Sequence, residues 1–170
     1  MQNSIFKRVG KYVVRPCGVD DLNKVVMINF KTLPEHYSNY FFEELLQESP
    51  ETFVVAEREG DGKVVGYIMC RVEYGFSNLK KFGLSRKGHV VSVAVFEEDR
   101  GKGLGRVLVE EALKGMKSKG CSEAYLEVRS SNTKAVRLYE KMGFEKSVSL
   151  EGYYRDGEAA VMMVIKLNQS

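Results

Sequence analysis

Apolar positions recur along the chain with two periods. Lys11 to Arg15, apolar from Tyr12 to Val14, reads as a short opening strand. A helical period then carries Leu22, Val25, Val26 and Asn29 to about Lys31, with Gly18 as N-cap and Asp20 and Asp21 in the first turn. Leu33-Pro34-Glu35-His36-Tyr37 breaks it, and a second helix is expected from about Ser38 to Gln47. Two strands, Thr52–Glu57 and Val64–Tyr74, flank a Gly60-Asp61-Gly62 turn. Gly75 to Lys87 reads as a basic loop. His89 to Phe96 is almost wholly apolar, the pattern of a strand buried on both faces.

Beyond a glycine-rich segment, Leu104, Leu108 and Ala112 fall on one face of a helix that runs to about Lys119. Ala124–Arg129 follows as a strand. Asn132 caps a further helix that ends at Gly143, and closing strands at about Glu145–Glu151 and Glu158–Leu167 flank Arg155-Asp156-Gly157. The expected order is β-α-α-β-β-β-α-β-α-β-β, a mixed α/β sheet covered by helices. One domain over 1–170, with its core at about 11–167, accommodates it.

Composition adds bounds. Hydrophobic residues make up 44% and charged residues 29%, as in a folded globular chain. A net charge of +3 is too small to argue for a specific nucleic acid. Cys17, Cys70 and Cys121 are odd in number and widely spaced, so neither a disulfide framework nor a zinc site is expected. No metal is expected. The longest apolar run, Ala159 to Ile165, cannot span a membrane, and no membrane partner is expected. The reading is a cytoplasmic protein.

The candidate chemistry starts at Arg100-Gly101-Lys102-Gly103-Leu104-Gly105, between a strand and a helix. Glycines let backbone N–H groups approach phosphates, and a helix N-terminus adds partial positive charge. Arg100, Lys102 and Arg106 would add cationic contacts. Alone, the segment also fits a tight turn. A Walker loop is excluded because Ser or Thr does not follow Gly-Lys. A dinucleotide fingerprint fits poorly, since three acids separate strand from glycines, although Glu127 lies at a suitable distance downstream. Further on, Asn132 and Tyr139 stand two helical turns apart and point the same way.

Arg100-x-x-Gly103-x-Gly105, followed by Asn132-x-x-Ala135-x-x-Leu138-Tyr139-x-x-x-Gly143-Phe144, resembles the GNAT superfamily of acetyltransferases. The resemblance implies acetyl-coenzyme A as co-substrate and a mostly antiparallel sheet with a splay between two central strands. The pantetheine arm would pair with Val93, Ala94 and Val95. The pyrophosphate would lie on amides from Arg100 to Gly105, beside Asn132. Within that family, Leu33 to Tyr37, Arg86-Lys87-Gly88-His89, Tyr125 to Arg129 and Gly152-Tyr153-Tyr154 resemble N-terminal protein acetyltransferases. The nearest types are archaeal Ard-type enzymes, the NatA catalytic subunit and bacterial RimI. The likeness implies a narrow tunnel for a protein or peptide N-terminus, with Ser, Ala or Met at its first position. Leu33, Glu35, Tyr37, Tyr153 and Tyr154 would line it.

An amine nucleophile must be neutral, and an α-amino group with a pKa near 8 makes that a mild demand. Glu127 and His89 are the candidate bases. A structural histidine and an ion-paired glutamate are the competing explanations. Tyr139 is the candidate acid for the departing thiolate, and backbone N–H groups of Val93–Val95 are candidate oxyanion donors. Cys121 lies away from the cofactor loop, which argues against an acetyl-enzyme. A lysine side-chain or small-molecule acetyltransferase on the same fold is the first alternative. The second is a non-enzymatic coenzyme A-binding or ribosome-associated module, whose loop residues Lys80, Lys81, Arg86 and Lys87 could touch RNA.

Overall fold

The computed structural model describes residues 4–168. Its strands are β1 (Lys7–Val9), β2 (Tyr12–Pro16), β3 (Val54–Arg58), β4 (Val64–Phe76), β5 (Leu84–Val95), β6 (Glu123–Arg129), β7 (Glu145–Leu150) and β8 (Ala160–Lys166). Its helices are α1 (Leu22–Thr32), α2 (Asn39–Glu48), α3 (Leu104–Ser118) and α4 (Thr133–Lys141). The strands form one sheet in the order β1-β2-β3-β4-β5-β6-β8-β7. Every neighbouring pair is antiparallel except β5 and β6. The mixed, mostly antiparallel sheet expected from the sequence is the one observed.

Two expectations need correction. β1 was not expected; its burial pattern is exposed, exposed, intermediate, so it carries no apolar alternation to announce it, and pairing with β2 alone makes it a strand. The segment Gly75–Lys87, expected as a loop throughout, is ladder at both of its ends. Gly75 pairs with Ser85 and Phe76 with Leu84, so only residues 77–83 connect the strands. Glycine and lysine are poor strand formers, but a long partner already committed to the sheet overrides that preference.

Local chemistry sets the helix ends. Ser38 accepts a hydrogen bond from the Phe41 N–H and caps α2. Asn132 does the same for α4 through the Ala135 N–H at 3.2 Å. At the other end of α4, Gly143 has φ of 105°, and the amides of Gly143 and Phe144 return to the carbonyls of Glu140 and Tyr139. The last turn of α4, which carries Tyr139, is thereby fixed. The Phe144 ring packs edge-on against Tyr139 at 5.7 Å. On α3, Leu104, Leu108 and Ala112 are all buried against the sheet, joined by Val107 and Met116.

The parallel pair β5/β6 is short. It holds only at Lys87↔Glu123, Gly88↔Ala124 and His89↔Tyr125. Beyond His89 the strands part, and the rest of each strand stays tied to its outer neighbour, β5 to β4 and β6 to β8. β5 also bulges at Val91, since Met69 faces Ser92 while Cys70 faces Val90. The result is a V-shaped opening in mid-sheet.

Candidate active site

Two cavities meet in that opening. One, of about 480 Å³, is walled by the α1–α2 connection (Leu33, Glu35, Tyr37), by Val90 to Val93, by Leu126 to Arg129, and by Tyr153 and Tyr154. The other, of about 820 Å³, runs over Val93 to Val95, the glycine loop and α4. Leu33, Val93, Asn132, Ala135 and Tyr139 line both. Tyr139 therefore stands where the two chambers join.

The second cavity has the character of an anion site. Gly101 and Gly103 hold φ of 78° and 83°, a left-handed backbone that side chains resist, and this turns the chain into the start of α3. The first amides of α3 have no carbonyl within the helix to bond. A Cβ built on Gly105 would meet no protein atom within 4 Å, so the absent side chain leaves open space at the helix start. Arg100, Arg106, Lys134, Arg137 and Lys141 also line this cavity. The last three lie at i, i+3 and i+7 on α4, a basic stripe readable in the sequence but passed over there. Arg100 is steadied by its Nε donating to the Val95 carbonyl at 3.0 Å. Lys102 does not line the cavity. Its Nζ donates to the Glu98 carbonyl at 3.3 Å and lies over the Tyr12 ring.

At the base of this loop, buried Asp99 accepts from the Tyr12 hydroxyl at 2.6 Å and from Arg58 at 3.0 Å. Burial works against its charge, yet these two donors hold its carboxyl below the usual carboxylate range. A charged, doubly bonded Asp99 anchors the turn from β5 into the glycines.

The first cavity is lined by the Glu35 and Glu127 carboxylates, the Arg129 and Arg155 side chains, and the phenols of Tyr37, Tyr139, Tyr153 and Tyr154. Glu127 forms part of its wall, and its Oε2 lies 2.7 Å from His89 Nε2. His89 itself sits behind Glu127 and does not line the cavity. Burial raises the Tyr37 and Tyr153 phenols above their ordinary value, and the charges of Glu35 and Glu127 raise them further. Both rings stay protonated and can donate hydrogen bonds. Tyr153 and Tyr154 meet edge to face at 5.0 Å. Tyr139 is pushed up to about 12 by burial.

Two features escaped the sequence reading. Arg129 donates to Glu35 at 2.7 Å, Asp156 at 2.8 Å and Glu158 at 3.0 Å, and its guanidinium lies 4.1 Å from the Tyr154 ring centroid. It ties the α1–α2 connection to the β7–β8 connection across the cavity. The second is a buried polar chain. Asn29 Nδ2 donates to the Glu35 carbonyl and to the Tyr67 hydroxyl, each at 3.1 Å, and Tyr67 bonds Ser92 Oγ at 2.7 Å. This chain fixes the α1–α2 connection on β4 and β5. Asn29 sits on the buried face of α1 at an otherwise apolar position, which is the signal that could have found it.

Residues 21–144 match the Acetyltransferase (GNAT) family. The N-alpha-acetyltransferase of Saccharolobus solfataricus is 50% identical over 154 residues, covering 89% of this chain and 91% of that protein. Among solved structures, that of the NatC complex bound to Gag peptide and CoA has a chain that superposes with a TM-score of 0.83 at 26% identity, covering 93% of this chain and 99% of its own. Naa20 of Chaetomium thermophilum in complex with a bisubstrate analogue superposes with a TM-score of 0.78 at 29% identity, covering 92% and 87%.

Proposed function

The chain belongs to the GNAT acetyltransferase family, and on that premise we propose how its residues divide the work of N-terminal acetylation. The reaction moves an acetyl group from acetyl-coenzyme A to the α-amino group of a protein N-terminus. The observation that carries the division of labour is the pair of cavities joined at Tyr139: a cationic one over the glycine loop and one that holds Glu127 among phenols.

Acetyl-coenzyme A binds in the cationic cavity. Amides from Arg100 to Gly105, with Arg100 and Arg106, receive its pyrophosphate, and Val93 to Val95 offer backbone groups to the pantetheine arm. The N-terminal residue of the protein enters the other cavity, between Leu33, Glu35 and Tyr37 on one side and Tyr153 and Tyr154 on the other. Ser, Ala or Met suits its first position. Glu127 on the wall is the carboxylate that receives the ammonium there, since Glu35 is held by Arg129.

Glu127 takes the proton from the ammonium, directly or through water. Its place on the cavity wall supports it over His89, which stands behind it. The neutral nitrogen then attacks the thioester carbon. The C–N bond forms, the oxyanion is met by strand N–H groups, and the C–S bond breaks. Tyr139 gives its proton to the leaving sulfur, and the second proton that the nitrogen sheds as the amide forms restores the phenol through water. A phenol held at about 12 keeps that proton throughout the neutral range.

A cytoplasmic enzyme that works at the ribosome completes the proposal. Among the described residues no helix is long and apolar enough to cross a membrane. Lys80 and Lys81 are exposed at the β4–β5 turn, which supports contact with RNA, while Arg86 and Lys87 extend β5.

Thiol release with a panel of peptides tests the acceptor. A peptide with a free Ser, Ala or Met N-terminus is the expected substrate. Faster turnover of an N-terminally blocked peptide with a free lysine would overturn the reading in favour of side-chain acetylation.

A further inference from the structure

The Glu127–His89 pair does not end at the imidazole. On the far side of the ring, Glu73 of β4 places Oε1 3.6 Å from His89 Nδ1. The other oxygen of the same carboxylate accepts a hydrogen bond from the Tyr125 hydroxyl at 2.7 Å. The Tyr125 ring in turn stacks on His89, with centroids 4.3 Å apart and planes 5° from parallel. Three side chains from three strands therefore close a loop: Glu73 to Tyr125 by hydrogen bond, Tyr125 to His89 by stacking, His89 back to Glu73 by charge.

The register explains the arrangement. His89↔Tyr125 is the last paired position of β5 and β6 before they part. The ring is fixed at the apex of the splay, while Glu127, two residues on, projects into the opening. His89 is about one-fifth exposed, so an unfixed ring could turn over and present the wrong nitrogen to Glu127.

We propose that Glu73 is a positioning residue for the acceptor-side base, and that Tyr125 clamps both Glu73 and His89 so that Nε2 always faces Glu127. This rests on the reading of Glu127 and His89 given above. Glu73 acts by orientation and by charge. A carboxylate on the Nδ1 side keeps that nitrogen protonated and pointing away, as the outer carboxylate does in other carboxylate–histidine pairs.

The other charged groups on this face do not displace that role. Arg71 pairs with His89 across β4 and β5, but its guanidinium lies over Phe41 at 5.3 Å. Lys87 lies over the Tyr125 ring at 5.3 Å. Glu127 is on the Nε2 side. Among the described residues, Glu73 is the carboxylate that faces Nδ1.

The chain has 2 histidines, so ring proton resonances report His89 directly once His36 is assigned. In the wild type, long-range proton–nitrogen correlations should show one set of His89 ring signals, with Nδ1 as the protonated nitrogen. In Glu73→Gln a second set, from the turned-over ring, should appear. In Tyr125→Phe the stack survives while Glu73 loses its phenol donor, so the second set should appear more weakly. Glu73→Asp should stay nearer the wild type than Glu73→Gln. In Glu73→Gln, kcat should drop about three- to ten-fold with KM for acetyl-coenzyme A unchanged. A residue that only packs would leave the single set as it was. One unchanged set in all variants, or an unchanged kcat in Glu73→Gln, overturns the proposal. Glu127→Gln separates the two readings. If the pair is not the base, that variant turns over at the wild-type rate while the His89 ring signals still respond to Glu73.

Discussion

Glu35 and Arg129 lie 94 residues apart in the chain, yet their side chains meet at 2.7 Å across the mouth of the acceptor cavity. Arg129 also holds Asp156 and Glu158, so a single guanidinium spans the α1–α2 and β7–β8 connections. The Glu35 carboxylate, proposed above to face the incoming N-terminus, is therefore already partly neutralised. On the proposed function, Arg129 would set how much of that charge is left for the substrate and how far apart the two walls stand.

Arg129→Gln should leave acetyl-coenzyme A binding intact, because Arg129 does not line the cofactor cavity. It should loosen the acceptor side. Several shared hydrogen bonds at a part-exposed site correspond to about 1–2 kcal/mol, or roughly ten-fold in kcat/KM for the peptide. Steady-state kinetics with each substrate varied in turn distinguish the two effects. An equal rise in both KM values would place Arg129 in the general stability of the fold instead.

Tyr139→Phe preserves the packing against Phe144 and removes only the hydroxyl. If that hydroxyl protonates the leaving sulfur, kcat should fall about ten- to hundred-fold with little change in cofactor affinity. Thiol release measures the first and calorimetric titration with coenzyme A the second. Because the phenol is held at about 12, wild-type kcat should show no loss assignable to Tyr139 up to about pH 10.

Most of the fold was legible because its apolar periods were strong. The almost wholly apolar β5 run, the Leu104, Leu108, Ala112 face and the Asn132 and Gly143 caps each follow from local chemistry. β1 was not legible, since an exposed edge strand exists only through its neighbour. The site divided along the same line. The glycine loop and the Asn132–Tyr139 spacing are contiguous in sequence, so they could be read. Glu73, His89, Tyr125 and Glu127 come together only through strand register, and Glu35 with Arg129 only through two folded connections. Spacing along the chain carries no trace of either.

Buried thiols and phenols govern alkaline stability, Cys17, Tyr67 and Tyr139 among them. Burial pushes Cys17 up to about 12 from an ordinary 9.0, and Tyr67 and Tyr139 up to about 12 from 10.0. The folded chain thus keeps protons that the unfolded chain would release. Their contribution is whole below about pH 9 and is lost as pH rises towards 12. Each group can add up to about 1.4 kcal/mol per pH unit to the slope within that window. Tm should accordingly fall between pH 9 and 11, and Cys17→Ala should make the decline shallower. A Tm that stays level to pH 11 would contradict this account.

Gly105 offers the sharpest separation of fold from function. It lies in the first turn of α3, where a Cβ would touch no protein atom within 4 Å, and it lines the cationic cavity. In a helix, replacing glycine by alanine removes backbone freedom from the unfolded chain and stabilises by about 0.5–1 kcal/mol. Gly105→Ala should therefore raise Tm or leave it level. The same methyl group projects into space next to amides assigned to the pyrophosphate, so cofactor affinity should fall, and Gly105→Val should weaken it further, by roughly ten-fold or more. The two quantities move in opposite directions, which no general loss of folding can imitate. Melting curves and coenzyme A titrations on the same preparations decide it. If affinity holds while Tm rises, the pyrophosphate lies elsewhere, and the glycine at this position serves the turn alone.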